Sequence, residues 1–187
     1  MPTPTSVGTE DYPLTRRPYL YTPVSAPAAA HAFVDFATSD EAQALVAAAG
    51  FVGLTPTCDP KGAACPGCTD AYRAAVAGAC RVTMDFRYDP RGGELDARAL
   101  RDLDRLVRLA SDPQYSAKSI LLFAFAAGDA KTGATRAQAD ADAVASQLRA
   151  RSLSVTVARG MGTQAPSPAA TEEQMTRRNR RVEVWLR

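Results

Sequence analysis

Histidine is almost absent from this sequence. His31 is the only one among 187 residues, and its alanine-rich surroundings assign it a surface or packing role rather than that of a base. No glycine-rich phosphate loop follows a strand-like segment and no catalytic set is evident, so neither enzymatic activity nor a cofactor is expected. Long apolar runs are missing too: no stretch of about eighteen apolar residues exists, which excludes a membrane-spanning helix. The opening residues, Met1-Pro2-Thr3-Pro4-Thr5-Ser6, show no basic segment followed by an apolar one, so no signal peptide is visible. The expectation is either a cytoplasmic protein or a chain that begins inside a longer one. Lysine is scarce, with Lys61, Lys118 and Lys131 the only three among 22 basic residues. The net charge of +2 points neither to nucleic acid nor to a membrane surface.

What is present is enough for one ordinary domain with an appendage: 46% of the residues are apolar, although much of that is alanine. Four cysteines, Cys58, Cys65, Cys68 and Cys80, fall in one short Pro/Gly-rich region, which favours disulfides and an oxidising compartment. If Thr69–Ala77 is a helix, Cys68 and Cys80 are roughly 18 Å apart at 1.5 Å per residue. A disulfide requires Cα atoms within about 7 Å. Two pairings remain: Cys58–Cys68 with Cys65–Cys80, or Cys58–Cys80 with Cys65–Cys68. A zinc site of four thiolates is the rival, weakened by the lack of a second Cys-x-x-Cys.

Along the chain, residues 1–16 are expected to be extended or disordered. Arg17–Thr22 reads as a short edge strand, Ala28–Ala37 as a helix, and Ser39 as the N-cap of a second helix ending at Gly50. Residues 55–80 form a cysteine-containing linker and short helix. From residue 81 the elements alternate regularly. Arg81–Tyr88 is a strand, Asp96 caps a helix, and Ser119–Ala126 is a buried strand. Gly128–Gly133 reads as a loop, Thr135–Arg151 as a long helix, Ser154–Arg159 as a strand, Gly160–Ser167 as a loop and Ala170–Thr176 as a helical turn. In Asn179–Leu186, Val182, Val184 and Leu186 alternate with Glu183 and Trp185, the period of a strand with one buried face. This order makes an α/β sandwich, βαβαβ(α)β, with helices on one face of a mixed sheet.

Residues 81–187 resemble the OmpA-like family of peptidoglycan-associated domains. The resemblance is carried by Phe86, Leu95-Asp96, Phe125-Ala126, Val144 with Leu148, Gly160-Met161-Gly162-Thr163, and above all Asn179-Arg180-Arg181-Val182-Glu183-Val184. It implies a non-catalytic module of the cell envelope, in the periplasm or at the outer membrane, that binds the peptide stem of peptidoglycan. In that family a loop carboxylate meets an ammonium group and a helix arginine meets a carboxylate. Here the helix arginine falls on Asp140, a charge reversal, and the loop aspartate falls near Ala127. The surrogates are Asp129, and Arg136 one turn before Asp140. Arg177, Arg178, Arg180 and Arg181 place four guanidinium groups in five positions. Asn179, Arg180 and Arg181 complete the candidate ligand-binding set. The alternatives are that Arg136, Asp140 and Asp142 are a solvated helix face, and that the arginines merely flank an edge strand. Nucleic-acid binding is not expected, because no aromatic platform or basic stripe accompanies the cluster.

Residues 10–54 carry a second resemblance. Tyr12–Tyr21, Phe33-Val34-Asp35-Phe36-Ala37 and Ala48–Leu54 look like the C-terminal tail of periplasmic phosphate-binding proteins of ABC transporters. This implies an incomplete strand–helix–helix segment in residues 1–54, with upstream phosphate-binding-like lobes in a longer chain. Peptidoglycan binding that anchors a solute-binding module is thus the leading expectation. A degenerate OmpA-like scaffold or protein-interaction domain, and a fragment of a phosphate-uptake protein, are the alternatives.

Overall fold

A computed structural model of the chain describes residues 2–62, 68–89, 91, 93–164 and 178–187. It is a mixed α/β sandwich built on a five-stranded mixed sheet. The strands are β1 (Cys58–Asp59), β2 (Cys80–Arg87), β3 (Ile120–Phe125), β4 (Val155–Gly162) and β5 (Arg181–Leu186), in the order β1-β2-β5-β3-β4. The last strand inserts between β2 and β3 and runs antiparallel to both, while β3 and β4 are parallel. The order of strands and helices is the one expected from residue 81 onward. The helical turn expected at Ala170–Thr176 and the guanidinium of Arg177 lie outside the described residues.

One face of the sheet is apolar. Val82, Met84 and Phe86 of β2, Leu122 and Ala124 of β3, and Val182 and Val184 of β5 point to the same side. Two helices cover them. Helix α5 (Ala97–Ser111) contributes Ala99, Leu103 and Leu106, and α6 (Ala130–Arg149) contributes Ala137, Ala141, Val144, Ala145 and Leu148. Small residues let α6 lie close to the sheet. A Cβ on Gly160 of β4 would come within 2.4 Å of the Gln138 backbone nitrogen, so only glycine permits this approach.

The other face was expected to meet solvent, and it does not. Trp185 and Glu183 are 1% and 4% exposed, so β5 is buried on both sides and is not an edge strand. Helix α4 (Asp70–Val76), capped by Thr69, lays Tyr72 and Val76 over Phe123, Phe125 and Trp185. Beside this apolar patch lies a sealed charge network. Arg81, Asp85 and Arg87 of β2 interleave with Arg181 and Glu183 of β5. Like charges face each other across the ladder, Asp85 opposite Glu183 and Arg87 opposite Arg181, and opposite charges meet along each strand. Such a set persists when buried only because every charge has a counterion close by.

The first residues complete this cover. They are neither extended nor free. Helix α1 (Pro4–Gly8) begins at Thr3 with a capping box, and Gly8 sits against the Thr83 carbonyl, where a Cβ would approach to 2.6 Å. Arg87 donates to the Thr9 carbonyl, and Arg98 donates to the Gly8 carbonyl at 3.0 Å. Arg17 pairs with Glu10 and, at 3.1 Å, with Asp96. The compositional signal for disorder failed because these contacts are made by backbone carbonyls and by arginines distant in sequence.

The strand expected at Arg17–Thr22 is not formed; those residues have no regular structure. Pro18 and Pro23 bracket a segment that has no neighbouring strand to pair with. Helices α2 (Ala28–Ala37) and α3 (Asp40–Ala48) are present, with Ser39 capping the second. They pack on each other and leave Phe33, Phe36 and Leu45 exposed. Cys58 and Cys80 form a disulfide that ties β1 to the start of β2. This is one bond of the second pairing scheme, and it withdraws two thiolates from any zinc site. Cys68 is also disulfide-bonded, and Cys65 lies outside the described residues. Among the described residues no helix is long and apolar enough to cross a membrane.

Candidate ligand-binding site

The site forms where β3 runs out into α6 and β5 begins, at the end of the sheet where Phe125 pairs with Arg181. The chain leaves β3, turns at Gly128 with φ of 122°, and enters α6 at Ala130. Asp129 makes this entry. Its Oδ1 accepts from the backbone N–H groups of Lys131 (2.9 Å) and Thr132 (3.0 Å), and its Oδ2 accepts from the Thr132 hydroxyl at 2.5 Å. These bonds, led by that of the Thr132 hydroxyl, hold the Asp129 carboxyl below the usual range. The helix therefore starts five residues earlier than expected. Gly133, expected in a loop, lies inside it, close against Thr163.

Residues four apart in the first turns of α6 stack into two stripes, Thr132-Arg136-Asp140 and Lys131-Thr135-Ala139. Facing them is Arg180, the residue before β5. Together they bound an open cleft of about 600 Å³. Arg180 closes on Asp140 as a two-pronged fork, with Nε donating to Oδ2 and a terminal nitrogen to Oδ1, each at 2.9 Å. Its guanidinium lies 3.9 Å from the centre of the Tyr88 ring. The Tyr88 hydroxyl donates to the Asp140 carbonyl at 3.4 Å. Burial, reinforced by the Asp140 charge, pushes the Tyr88 hydroxyl well above its ordinary range, so it remains a donor. The hydrogen bonds from Asp140 likewise raise the Arg180 pKa and keep its charge fixed.

This arrangement explains the acid at position 140. A guanidinium is present next to the helix, but it comes from the flank of β5 and is held by the helix carboxylate. Asp140 and Arg180 are one unit, stacked on Tyr88. Arg136 lies one turn earlier, exposed, and among the described residues neither it nor Lys131 has an ion-pair partner.

The remaining expected site residues lie elsewhere. Arg181 is 4% exposed on the opposite face of the sheet, bonded to Glu183 at 2.8–2.9 Å and seated over Phe125. In this conformation it cannot touch a ligand in the cleft. Its assignment to ligand contact is thereby corrected, because strand alternation sends adjacent residues to opposite faces. Asn179 is half-buried, has a partner within the fold, and does not line the cleft. Asp129 is turned back into its capping role beside the cleft. Three contributors were not singled out from sequence: Lys131, Thr132 and Tyr88. The first two were hidden by reading Gly128–Gly133 as a loop. The i, i+4 spacing of Thr132, Arg136 and Asp140 would have shown them.

No protein-family model matches this chain, and no curated protein matches it. Solved structures with similarity include the OmpA-like domain of FopA1 from Francisella tularensis, at 18% identity and a TM-score of 0.47, over 58% of this chain and 73% of that one. The cell wall anchor of the T6SS from Pseudomonas aeruginosa has 19% identity and a TM-score of 0.44, over 58% and 80%. A MotB-like protein from Desulfovibrio vulgaris has 18% identity and a TM-score of 0.48, over 82% and 91%.

Proposed function

We propose that this chain is a non-catalytic cell-envelope module that binds peptidoglycan through the cleft between the start of α6 and Arg180. The observation that carries the reading is the cleft itself. An arginine–carboxylate fork stacked on Tyr88 builds one rigid wall, and exposed Lys131 and Arg136 line the space in front of it. Its elements coincide with those of the Asn-Arg-Arg-Val-Glu-Val resemblance, where peptide-stem binding is expected. The Cys58–Cys80 disulfide favours an oxidising compartment such as the periplasm.

Co-sedimentation with purified sacculi tests the reading. A saturable fraction of the protein should pellet at micromolar concentration and should be released by salt, as exposed charge contacts are screened. Protein that stays in the supernatant at every sacculus concentration would falsify it and leave a scaffold role. The finer form of the reading is an anchor for a solute-binding module. It rests on the resemblance of residues 10–54 and on the exposed Phe33, Phe36 and Leu45, which such a module would cover. Immunoblotting of native cells tests this form: a longer polypeptide is expected, and a product of this length alone sinks it.

A further inference from the structure

We infer that the cleft accepts carboxylate groups and offers no seat for an ammonium group, so that it holds the peptide stems by their free carboxylates alone. The choice of peptidoglycan rests on the function proposed above, while the charge preference rests on the cleft's own side chains. A zwitterion would need one free anion and one free cation. The anions here are spent. Both oxygens of Asp140 accept from Arg180. Both oxygens of Asp129 are engaged by the first turn of α6. Asp142 accepts from Gln138, which is itself fixed by accepting from Gly160 of β4.

The cations are not spent. The Asp140–Arg180 pair is neutral in sum, which leaves Lys131 and Arg136 as uncompensated positive charge on neighbouring turns of α6. Ala139 keeps the floor between them low. Arg136 offers a planar fork suited to a carboxylate, and Lys131 a mobile point charge on a flexible stem. Two such cations fit a ligand segment that presents two carboxylates close together. An ammonium group entering the same space would meet both cations and find no acceptor charge. Like-charge repulsion would then oppose binding.

The test uses sacculi in three forms: untreated, amine-acetylated, and carbodiimide-amidated. Amidation should weaken binding by about fivefold or more, and acetylation should leave it within about twofold. Loss on acetylation overturns the inference, and so does binding that survives amidation. If untreated sacculi are not bound at all, the cell-wall reading has failed. The charge preference is then judged by NMR titration with tricarballylate and with cadaverine. Tricarballylate should shift the amide resonances of residues 131–136, the shifts should vanish in Arg136→Gln, and cadaverine should shift none of them. Absence of the tricarballylate shifts, or shifts with cadaverine, overturns the inference independently of the source of the ligand. Arg136 is exposed, so the variant does not disturb the core.

Discussion

Replacing Glu183 by glutamine removes one charge from the centre of the sealed network and keeps its shape. Glu183 accepts from the Tyr72 hydroxyl, from Trp185 Nε1 at 3.2 Å and from Arg181 at 2.8–2.9 Å, with Arg81 at 3.6 Å. Burial pushes its pKa up, but the attraction of Arg81 and Arg181 outweighs this and brings it from 4.5 down to about 2. A carboxylate with a depressed folded-state pKa stabilises the fold above its unfolded value and loses that contribution as pH falls toward the folded value. The interval from 4.5 to about 2 corresponds to about 3 kcal/mol at neutral pH and about 1 kcal/mol at pH 3. Glu183→Gln should therefore lose about 3 kcal/mol at pH 7, a fall in Tm of roughly 6–12 °C for a chain of this size. The gap to wild type should narrow by about 2 kcal/mol at pH 3. Comparison with wild type at each pH isolates Glu183 from the other acids. The assay is urea denaturation followed by the fluorescence of Trp185, the only tryptophan, which touches the altered side chain. A gap that is the same at both pH values, or below about 1 kcal/mol at pH 7, would refute the reasoning.

Three further outcomes are expected. The Cys58→Ser/Cys80→Ser double variant opens a loop of sequence separation 22 and should lower stability by about 3 kcal/mol, read by thermal melts; an unchanged melt contradicts this. Gly160→Ala forces a methyl group onto the Gln138 backbone and should cost about 1–3 kcal/mol by separating β4 from α6; unchanged denaturation midpoints would show that the helix moves freely. Gly8→Ala should lift the N-terminal segment from Thr83, so amide exchange at Thr5–Asp11 should speed up while the sheet core stays protected; exchange like that of wild type rules out the tight approach as the holding contact.

The sequence showed the sandwich clearly because its strongest signals are local. The alternation in Arg81–Tyr88, the apolar run at Ser119–Ala126 and the stripe in α5 each follow from one element's own period. What it hid depends on neighbours. Glu183 and Trp185 occupy positions that alternation assigns to solvent, and only the covering α4 and the N-terminal segment make them interior. Arg81, Asp85 and Arg87 read as polar partners for the same reason. At the site, Arg136 and Arg180 were identified by residue type, whereas Arg181 was included with them although the strand's own period sends it to the other face. Lys131 and Thr132 were lost to the glycines at 128 and 133, because an Asp cap can start a helix across a glycine that packs tightly. The Asp140–Arg180 unit was unreadable as a pair, since its members lie forty positions apart.

The central claim is that the wall of α6 facing Arg180 binds peptidoglycan. It is tested most directly by measuring the affinity for sacculi of three proteins: wild type, Lys131→Ala/Arg136→Ala, and Arg101→Ala/Lys118→Ala. The two variants lose the same charge from exposed positions, one pair inside the cleft and one outside it. The cleft pair should weaken binding by roughly tenfold, the equivalent of one lost charge-assisted contact, and the remote pair should leave affinity close to wild type. Equal loss in both variants, or no loss in either, would contradict the account.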